Sequence, residues 1–138
     1  MREHIGIYRG KRKDNGAWVE GWYCKVAFGR WPLREAIIPN EAAEEGHYQP
    51  YEVDPETVGE CTGLRDKNGE LIFEGDICDH HVQGDILVNR GVVNWDTKNG
   101  RWAFQLNTMN PDFYMNNPAA WEIIGNVVDN PELLQQEN

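Results

Sequence analysis

The most strongly patterned stretch of the chain is residues 61–77, which read Cys61-Thr62-Gly63-Leu64-Arg65-Asp66-Lys67-Asn68-Gly69-Glu70-Leu71-Ile72-Phe73-Glu74-Gly75-Asp76-Ile77. Asn68 and Gly69 both tolerate a positive φ, as the type I′ turn of a two-residue β-hairpin requires. Good strand formers follow at residues 71–73. Gly75 and Asp76 then form a second turn, in which the Asp76 carboxylate can accept hydrogen bonds from nearby backbone N–H groups. The stretch predicts a β-hairpin that leads directly into a further strand.

The same stretch, from Thr62 to Ile77, resembles the signature of the YopX family of phage and prophage proteins. Three further blocks match the family in order along the chain: Arg9-Gly10-Lys11-Arg12 with Asn15-Gly16-Ala17-Trp18-Val19-Glu20-Gly21, then Gly91-Val92-Val93, then Trp121-Glu122-Ile123-Ile124-Gly125-Asn126-Val127-Val128-Asp129-Asn130-Pro131-Glu132-Leu133-Leu134. The resemblance implies a phage or prophage origin. It brings no activity, cofactor or catalytic residue with it, so function has to be argued from the residues.

The composition indicates a water-soluble packed domain. The chain has 138 residues, 40% of them hydrophobic, with six tryptophans and 26% charged residues. No run approaches the roughly 18 apolar residues that a membrane span needs, and no apolar segment follows the first four residues. We therefore expect a protein of the bacterial host cytoplasm with no membrane contact.

Short apolar segments separated by turn residues predict a mainly β fold with little helix. We expect an N-terminal β-hairpin region followed by a C-terminal small SH3-like or open β-barrel. The predicted C-terminal strands are residues 77–82, 85–89, 91–96, 101–106 and 121–129, and residues 107–120 are predicted to be a loop. A soft boundary near residue 53 divides the chain into regions 1–52 and 53–138, which could also form a single domain.

A long strand predicted from Ala17 to Phe28 carries apolar side chains on both faces. Side chains alternate between the faces of a strand. One face therefore holds Trp18, Trp22 and Phe28, and the other holds Val19 and Tyr23. Because only one face can line the core, we expect the other face to contact a second copy of the chain.

The net charge of −10 limits the choice of partners. Such a charge repels phosphates, which disfavours direct nucleic-acid binding unless the basic residues cluster. One basic cluster exists at Arg9, Lys11, Arg12 and Lys13, and we interpret it as a solvated hairpin arm because a turn follows it. A basic host or phage protein is the expected partner other than the chain itself. The expected acidic partner surface consists of Glu41, Glu44, Glu45, Glu74 and Asp79.

The sequence contains few candidate metal-binding or catalytic residues. Cys78-Asp79-His80-His81 contains competent metal ligands, yet their alternation along a strand does not make one tetrahedral site. The three cysteines, Cys24, Cys61 and Cys78, fit reduced, buried thiols better than disulfides or a metal set. The carboxylates at residues 74, 76, 79 and 96 could support hydrolysis, but no nucleophile motif accompanies them. We assign no catalytic, cofactor or metal residues.

Three hypotheses follow from the sequence. The first is a non-catalytic cytoplasmic module that binds proteins and self-associates. The alternative is a nucleic-acid-associated small β-barrel, in which Trp95, Trp102, Phe104 and Tyr114 would stack on bases rather than pack in a core. A second alternative is a small hydrolase that uses Asp76, Asp79 or His80.

Overall fold

A computed structural model describes residues 6–40, 49–81, 87–106, 113–114 and 117–135 of the chain. These residues form eleven strands: β1 (Tyr8–Lys11), β2 (Trp18–Val26), β3 (Arg34–Pro39), β4 (Tyr51–Glu52), β5 (Gly59–Arg65), β6 (Leu71–Phe73), β7 (Asp76–His81), β8 (Leu87–Asp96), β9 (Arg101–Leu106), β10 (Phe113–Tyr114) and β11 (Trp121–Asn126). Three short 3-10 helices accompany them, at Pro55–Thr57, Pro118–Ala120 and Pro131–Leu134. The predicted mainly β fold is confirmed.

The strands form two sheets. The six-stranded sheet has the order β4-β3-β2-β1-β5-β6, and the five-stranded sheet has the order β10-β9-β8-β7-β11. The described pairing leaves both sheets open, so the SH3-like barrel that the sequence suggested is not confirmed.

The chain divides into two compact units, His4–Cys61 and Thr62–Asn138, which we call the N-terminal and C-terminal units. This division falls inside β5, further along the chain than the boundary expected near residue 53. The N-terminal core contains Val19, Ile37 and Val53, with partly buried Tyr8, Tyr51 and Val58 packed against it. The C-terminal core contains Ile72, Cys78, Val93, Trp102, Phe104, Leu106 and Trp121.

The hairpin at Asn68-Gly69 is present, but its turn is not of type I′. Gly69 has a φ of 81°. Among the described residues, the non-glycine residue with a positive φ is Phe28, so Asn68 does not have the positive φ that a type I′ turn requires. The Gly69 N–H donates to the Asp66 carbonyl at 3.0 Å, and the Asp66 N–H donates to the Glu70 carbonyl at 2.8 Å. This pattern fits a type I turn followed by a left-handed glycine, as in a three-residue hairpin loop.

The carboxylate of Asp66 explains why this turn forms instead. Its Oδ1 accepts the backbone N–H groups of Asn68 and Glu70, both at 2.9 Å. Its Oδ2 accepts the Ile123 N–H at 3.0 Å. Asp66 is only 4% exposed. A buried carboxylate that receives three N–H groups fixes the turn and also holds β11 against it.

The second predicted turn lies where β6 ends. Gly75 has a φ of 90°, and Asp76 is 2% exposed. The Oδ2 atom of Asp76 accepts the Phe73 N–H at 2.8 Å. Asp76 therefore acts as a structural acceptor at this turn.

Several sequence-predicted elements differ in extent. The predicted strands 85–89 and 91–96 are one strand, β8, and the predicted loop 107–120 contains β10 and a 3-10 helix. Asp54 caps the helix at Pro55–Thr57 by accepting the Glu56 N–H at 3.1 Å. Asn130 makes no such cap for the helix at Pro131–Leu134. Its Oδ1 instead accepts the Asn126 N–H at 3.2 Å.

None of the helices in the described ranges has the length and apolar character needed to cross a membrane.

Candidate functional site

The two faces of strand β2 lie in different surroundings, because successive side chains of a strand point to opposite faces. Val19 is 8% exposed and packs in the N-terminal core with Ile37. Trp18 and Trp22 point to the opposite face, which we call the outer face. The Trp22 side chain is 52% exposed there. One of the two predicted apolar faces therefore lines the core, and the other carries tryptophan on the surface.

The other residues predicted for self-association lie in different surroundings. Tyr23 is 37% exposed, and its ring lies 5.3 Å from that of Tyr8. Burial raises the pKa of the Tyr23 hydroxyl. Phe28 is not in the strand, because β2 ends at Val26 and Phe28 adopts a φ of 47° in the following turn. The Arg34 guanidinium lies 4.9 Å from the Phe28 ring centre.

The tip of the β2–β3 hairpin exposes further apolar side chains. Trp31 is 76% exposed, and Leu33 is 44% exposed. Gly29-Arg30-Trp31-Pro32 lies between β2 and β3. Tryptophan is enriched among the residues that dominate the energy of protein contacts.

Two of the basic residues in the predicted hairpin arm lie on the outer face. In the strand register Arg9 faces Glu20, and Lys11 faces Trp18. The Arg9 guanidinium lies 4.9 Å from the Trp18 ring centre, and the Lys11 ammonium lies 5.4 Å from it. Both distances are within the range of cation–π attraction, so the indole holds two positive charges at one position.

The other two basic residues of the predicted arm form ion pairs. Arg12 bonds to Asp14 through its Nε at 2.9 Å and its Nη2 at 2.6 Å, and this hydrogen bonding lowers the pKa of the Asp14 carboxyl. Lys13 lies 3.2 Å from Glu52. The predicted basic cluster therefore consists of two pairs: Arg9 and Lys11 lie beside Trp18, whereas Arg12 and Lys13 pair with carboxylates.

A cleft of about 530 Å³ opens beside Arg9 and Trp18. It is lined by Arg9, Trp18, Val19, Glu20, Pro39 and Asn40. Its lining thus combines an aromatic ring, a cation, a carboxylate and an amide. We call it the Arg9–Trp18 cleft.

The expected acidic partner surface is not assembled by the described residues. Glu41, Glu44 and Glu45 lie outside those residues, and Glu74 is half-buried. Asp79 is 6% exposed and makes two hydrogen bonds with the Arg90 guanidinium, at 2.6 and 3.0 Å. These bonds raise the pKa of Arg90. Asp79 is therefore a buried ion-pair partner and not a surface acid.

The residues considered for hydrolysis and metal binding also have structural surroundings. Cys78 lies fully buried in the C-terminal core. His80 stacks on Trp121 with ring centres 5.0 Å apart, and the side chain of His81 is outside the described part. Within the described residues, no group of three His, Cys, Asp or Glu side chains could hold a metal ion.

The aromatic residues considered as a stacking platform mostly pack inward. Trp102 and Phe104 are 7% and 1% exposed, and Phe104 stacks on Trp121 at 3.9 Å. Trp95 remains 44% exposed and meets Trp102 edge-on at 5.2 Å. Trp102 and Phe104 therefore cannot stack on bases without unpacking the core.

The net charge is unevenly distributed along the chain. Residues 1–40 hold eight Lys or Arg and four Asp or Glu residues, a net charge of +4, whereas residues 41–138 hold five and nineteen, a net charge of −14. Residues 41–61 add seven acidic residues and no basic one, so the unit His4–Cys61 as a whole carries seven Lys or Arg and ten Asp or Glu residues.

In a comparison with protein families, the model described as YopX protein matches residues 7–135. Among curated proteins, none is significantly similar to this chain.

Proposed function

The chain belongs to the YopX family, since the match extends over residues 7–135, and from this premise we propose that it is a non-catalytic interaction module that self-associates. Its phage or prophage origin and its place in the bacterial cytoplasm are part of the proposal. The origin is supported by the family resemblance, and the location by the lack of long apolar runs in the sequence.

The observation that carries the proposal is the concentration of exposed apolar side chains on one hairpin. Among the described residues, six large apolar side chains are exposed, and four of these lie on β2–β3 or its tip: Trp22, Tyr23, Trp31 and Leu33. Exposed tryptophans grouped in this way are typical of protein contact surfaces, because their burial supplies much of the binding energy.

Trp22 has apolar neighbours on the outer face. Its register partner on β3 is Ile38, and Cys24, two residues along β2, pairs with Ala36. Burial raises the pKa of the Cys24 thiol, which keeps it in the uncharged form. We call Trp22, Cys24 and Ile38 the apolar outer patch.

A second copy of the chain is the proposed occupant of this patch. Two-fold dimers are the commonest oligomers, and in them the same patch contacts itself. An apolar patch suits this arrangement because it carries no charge that would face its own copy. The Glu20 carboxylate and the Lys11 ammonium lie on the same face, and they would flank the contact with charges of both signs.

The candidate acid residues already form hydrogen bonds within the protein, which supports a non-catalytic role. Asp76 accepts the Phe73 N–H, and both oxygens of Asp79 are bonded to Arg90. His80 stacks on Trp121. The basic partner protein stays a prediction that rests on the net charge of −10.

Sedimentation equilibrium of the full chain at tens of micromolar tests the proposal. We expect an assembly of twice the 15.9 kDa chain mass. Trp22→Ser is expected to return the chain to the monomer, whereas Trp95→Ser, which changes an exposed tryptophan of the C-terminal unit, is not. A wild-type monomer, or equal behaviour of the two variants, would contradict the proposal. Unchanged near-ultraviolet dichroism serves as the folding control for both variants.

A further inference from the structure

We propose that Asn99, in the turn between β8 and β9, is a site of self-modification by deamidation, and that it reacts faster than the other asparagines that precede a glycine. The sequence contains three Asn-Gly pairs, at residues 15–16, 68–69 and 99–100. The pair at 99–100 lies in the C-terminal unit, so the inference does not depend on self-association through β2.

The reaction consumes water and releases ammonia. The Gly100 backbone nitrogen loses its proton and attacks the Asn99 Cγ, and the Cγ–Nδ2 bond breaks so that the side-chain nitrogen leaves as ammonia. Water then opens the resulting five-membered imide. Opening at Cγ gives aspartate, whereas opening at the Asn99 backbone carbonyl gives isoaspartate, in which the main chain runs through Cγ. A glycine after the asparagine favours the attack, because it has no Cβ to hinder the approach.

The three Asn-Gly pairs have similar surroundings in several respects. All six residues are exposed, and the three glycines have left-handed φ values of 73°, 81° and 64°. The three asparagine side chains are each hydrogen-bonded, in chain order to the Ala17 N–H, to Glu122 and to Asp96. Access of water and restraint of the side chain therefore apply to all three pairs.

The pairs differ in the hydrogen bonding of the glycine N–H, which belongs to the attacking nitrogen. The Gly16 N–H donates to the Arg12 carbonyl at 2.9 Å, and the Gly69 N–H donates to the Asp66 carbonyl at 3.0 Å. Within the described part of the chain, the Gly100 N–H has no such acceptor. A nitrogen whose proton is held by a carbonyl must first break that bond, so Gly100 attacks at the lowest cost.

Deamidation would also change the turn in which it occurs. The Asn99 Nδ2 donates to the Asp96 Oδ2 at 2.8 Å. A carboxylate at position 99 has no hydrogen to donate and places a second negative charge beside Asp96, and like charges oppose each other's ionisation. Asn15 provides the contrast, because its Oδ1 accepts the Ala17 N–H at 2.9 Å and a carboxylate can accept the same bond. The modification should therefore loosen the turn at Asn99 and leave the turn at Asn15 intact.

The first test is peptide mapping by mass spectrometry after incubation of the full chain in mildly alkaline buffer, either folded or unfolded in guanidinium chloride. In the folded chain, Asn99 should be modified about two- to tenfold faster than Asn15 and Asn68, the factor that corresponds to breaking one backbone hydrogen bond. In guanidinium chloride the three rates should become similar, because the shared Asn-Gly sequence then decides them. An unmodified Asn99, equal rates in the folded chain, or an order that persists in guanidinium chloride would overturn the inference.

The second test compares two variants that carry the product charge. Asn99→Asp should lower the melting temperature at neutral pH, and the decrease should become smaller in acid, where the paired carboxylates are protonated. Asn15→Asp adds the same charge to an exposed turn and is the matched control, which should melt as the wild type does. Equal melting temperatures of the two variants at neutral pH would contradict the role given to the Asn99 amide.

Discussion

The Oδ2 atom of Asp66 accepts a hydrogen bond from the backbone N–H of Ile123 at 3.0 Å, across 57 residues of sequence. The other carboxylate oxygen accepts the N–H groups of Asn68 and Glu70. One side chain thus fixes the hairpin turn and attaches β11 to it. Trp121, at the start of β11, completes the C-terminal core through its stacking on Phe104.

Replacement of Asp66 is therefore expected to be costly. Asp66→Ala leaves three N–H groups without their acceptor, and we expect a loss of about 2–4 kcal/mol in the free energy of unfolding. Urea denaturation followed by tryptophan fluorescence measures it. Glu70→Ala, an exposed neighbour whose N–H bond to Asp66 is unchanged, should cost less than about 0.5 kcal/mol. Equal effects of the two changes would contradict the role given to Asp66.

A β-branched residue at position 69 should destabilise the hairpin. Gly69 has a φ of 81°, and a side chain there would meet no neighbour within 4 Å. The expected cost of Gly69→Val, about 1–3 kcal/mol, therefore comes from backbone strain alone. Gly69→Asn is the control, because asparagine tolerates this conformation better. If both variants melt at the wild-type temperature, the turn conformation is not as described.

A side chain at position 21 should disrupt the β2–β3 pairing. A Cβ at Gly21 would overlap the backbone carbonyl of Ile38 and lie 2.9 Å from the Cα of Pro39. Since both atoms belong to the main chain, the strands must separate, and we expect Gly21→Ala to cost at least about 2 kcal/mol. Glu20→Ala, on the same strand and exposed, should change the unfolding free energy little. A fully stable Gly21→Ala variant would contradict this register.

Acid should weaken the β8–β9 turn. Hydrogen bonds from the Asn99 side chain, with further help from backbone N–H groups and Arg101, hold the pKa of Asp96 below its usual value. A lowered carboxyl pKa contributes stability that is present above the ordinary value and is lost as the pH falls through the value in the folded state. We expect the acid-induced decrease in melting temperature to be smaller in Asp96→Asn. An identical pH profile in the two proteins would contradict this.

The sequence predicted correctly those elements whose structure depends on residues close together in the chain. Residues 101–106 form a strand with the predicted bounds, because their alternation places Trp102 and Phe104 on the buried side. The turn at Gly75-Asp76 likewise follows from residues close in sequence. The type of the Asn68-Gly69 turn depends also on the Asp66 carboxylate, whose third partner is far away in the chain.

The sequence could not show which apolar face of β2 is buried. Val19 and Trp22 are both apolar, and only their partners on β1 and β3 decide their exposure. The burial of Asp79 was hidden for a similar reason, because Arg90 reaches it through the β7–β8 register. The charge difference between residues 1–40 and 41–138 could have been read from the sequence, since it requires no structure.

The central claim is that Trp22 contacts a second copy of the chain, and hydroxyl-radical labelling of tryptophan, read by mass spectrometry, tests it most directly. The extent of Trp22 labelling is compared at tens of micromolar and after dilution to the nanomolar range. Trp95 is the internal control, because its exposure of 44% is close to the 52% of Trp22. The account predicts that Trp22 is protected in the concentrated sample and labelled after dilution, while Trp95 is labelled equally in both. Equal labelling of Trp22 at the two concentrations would show that its exposed indole is not the contact between copies.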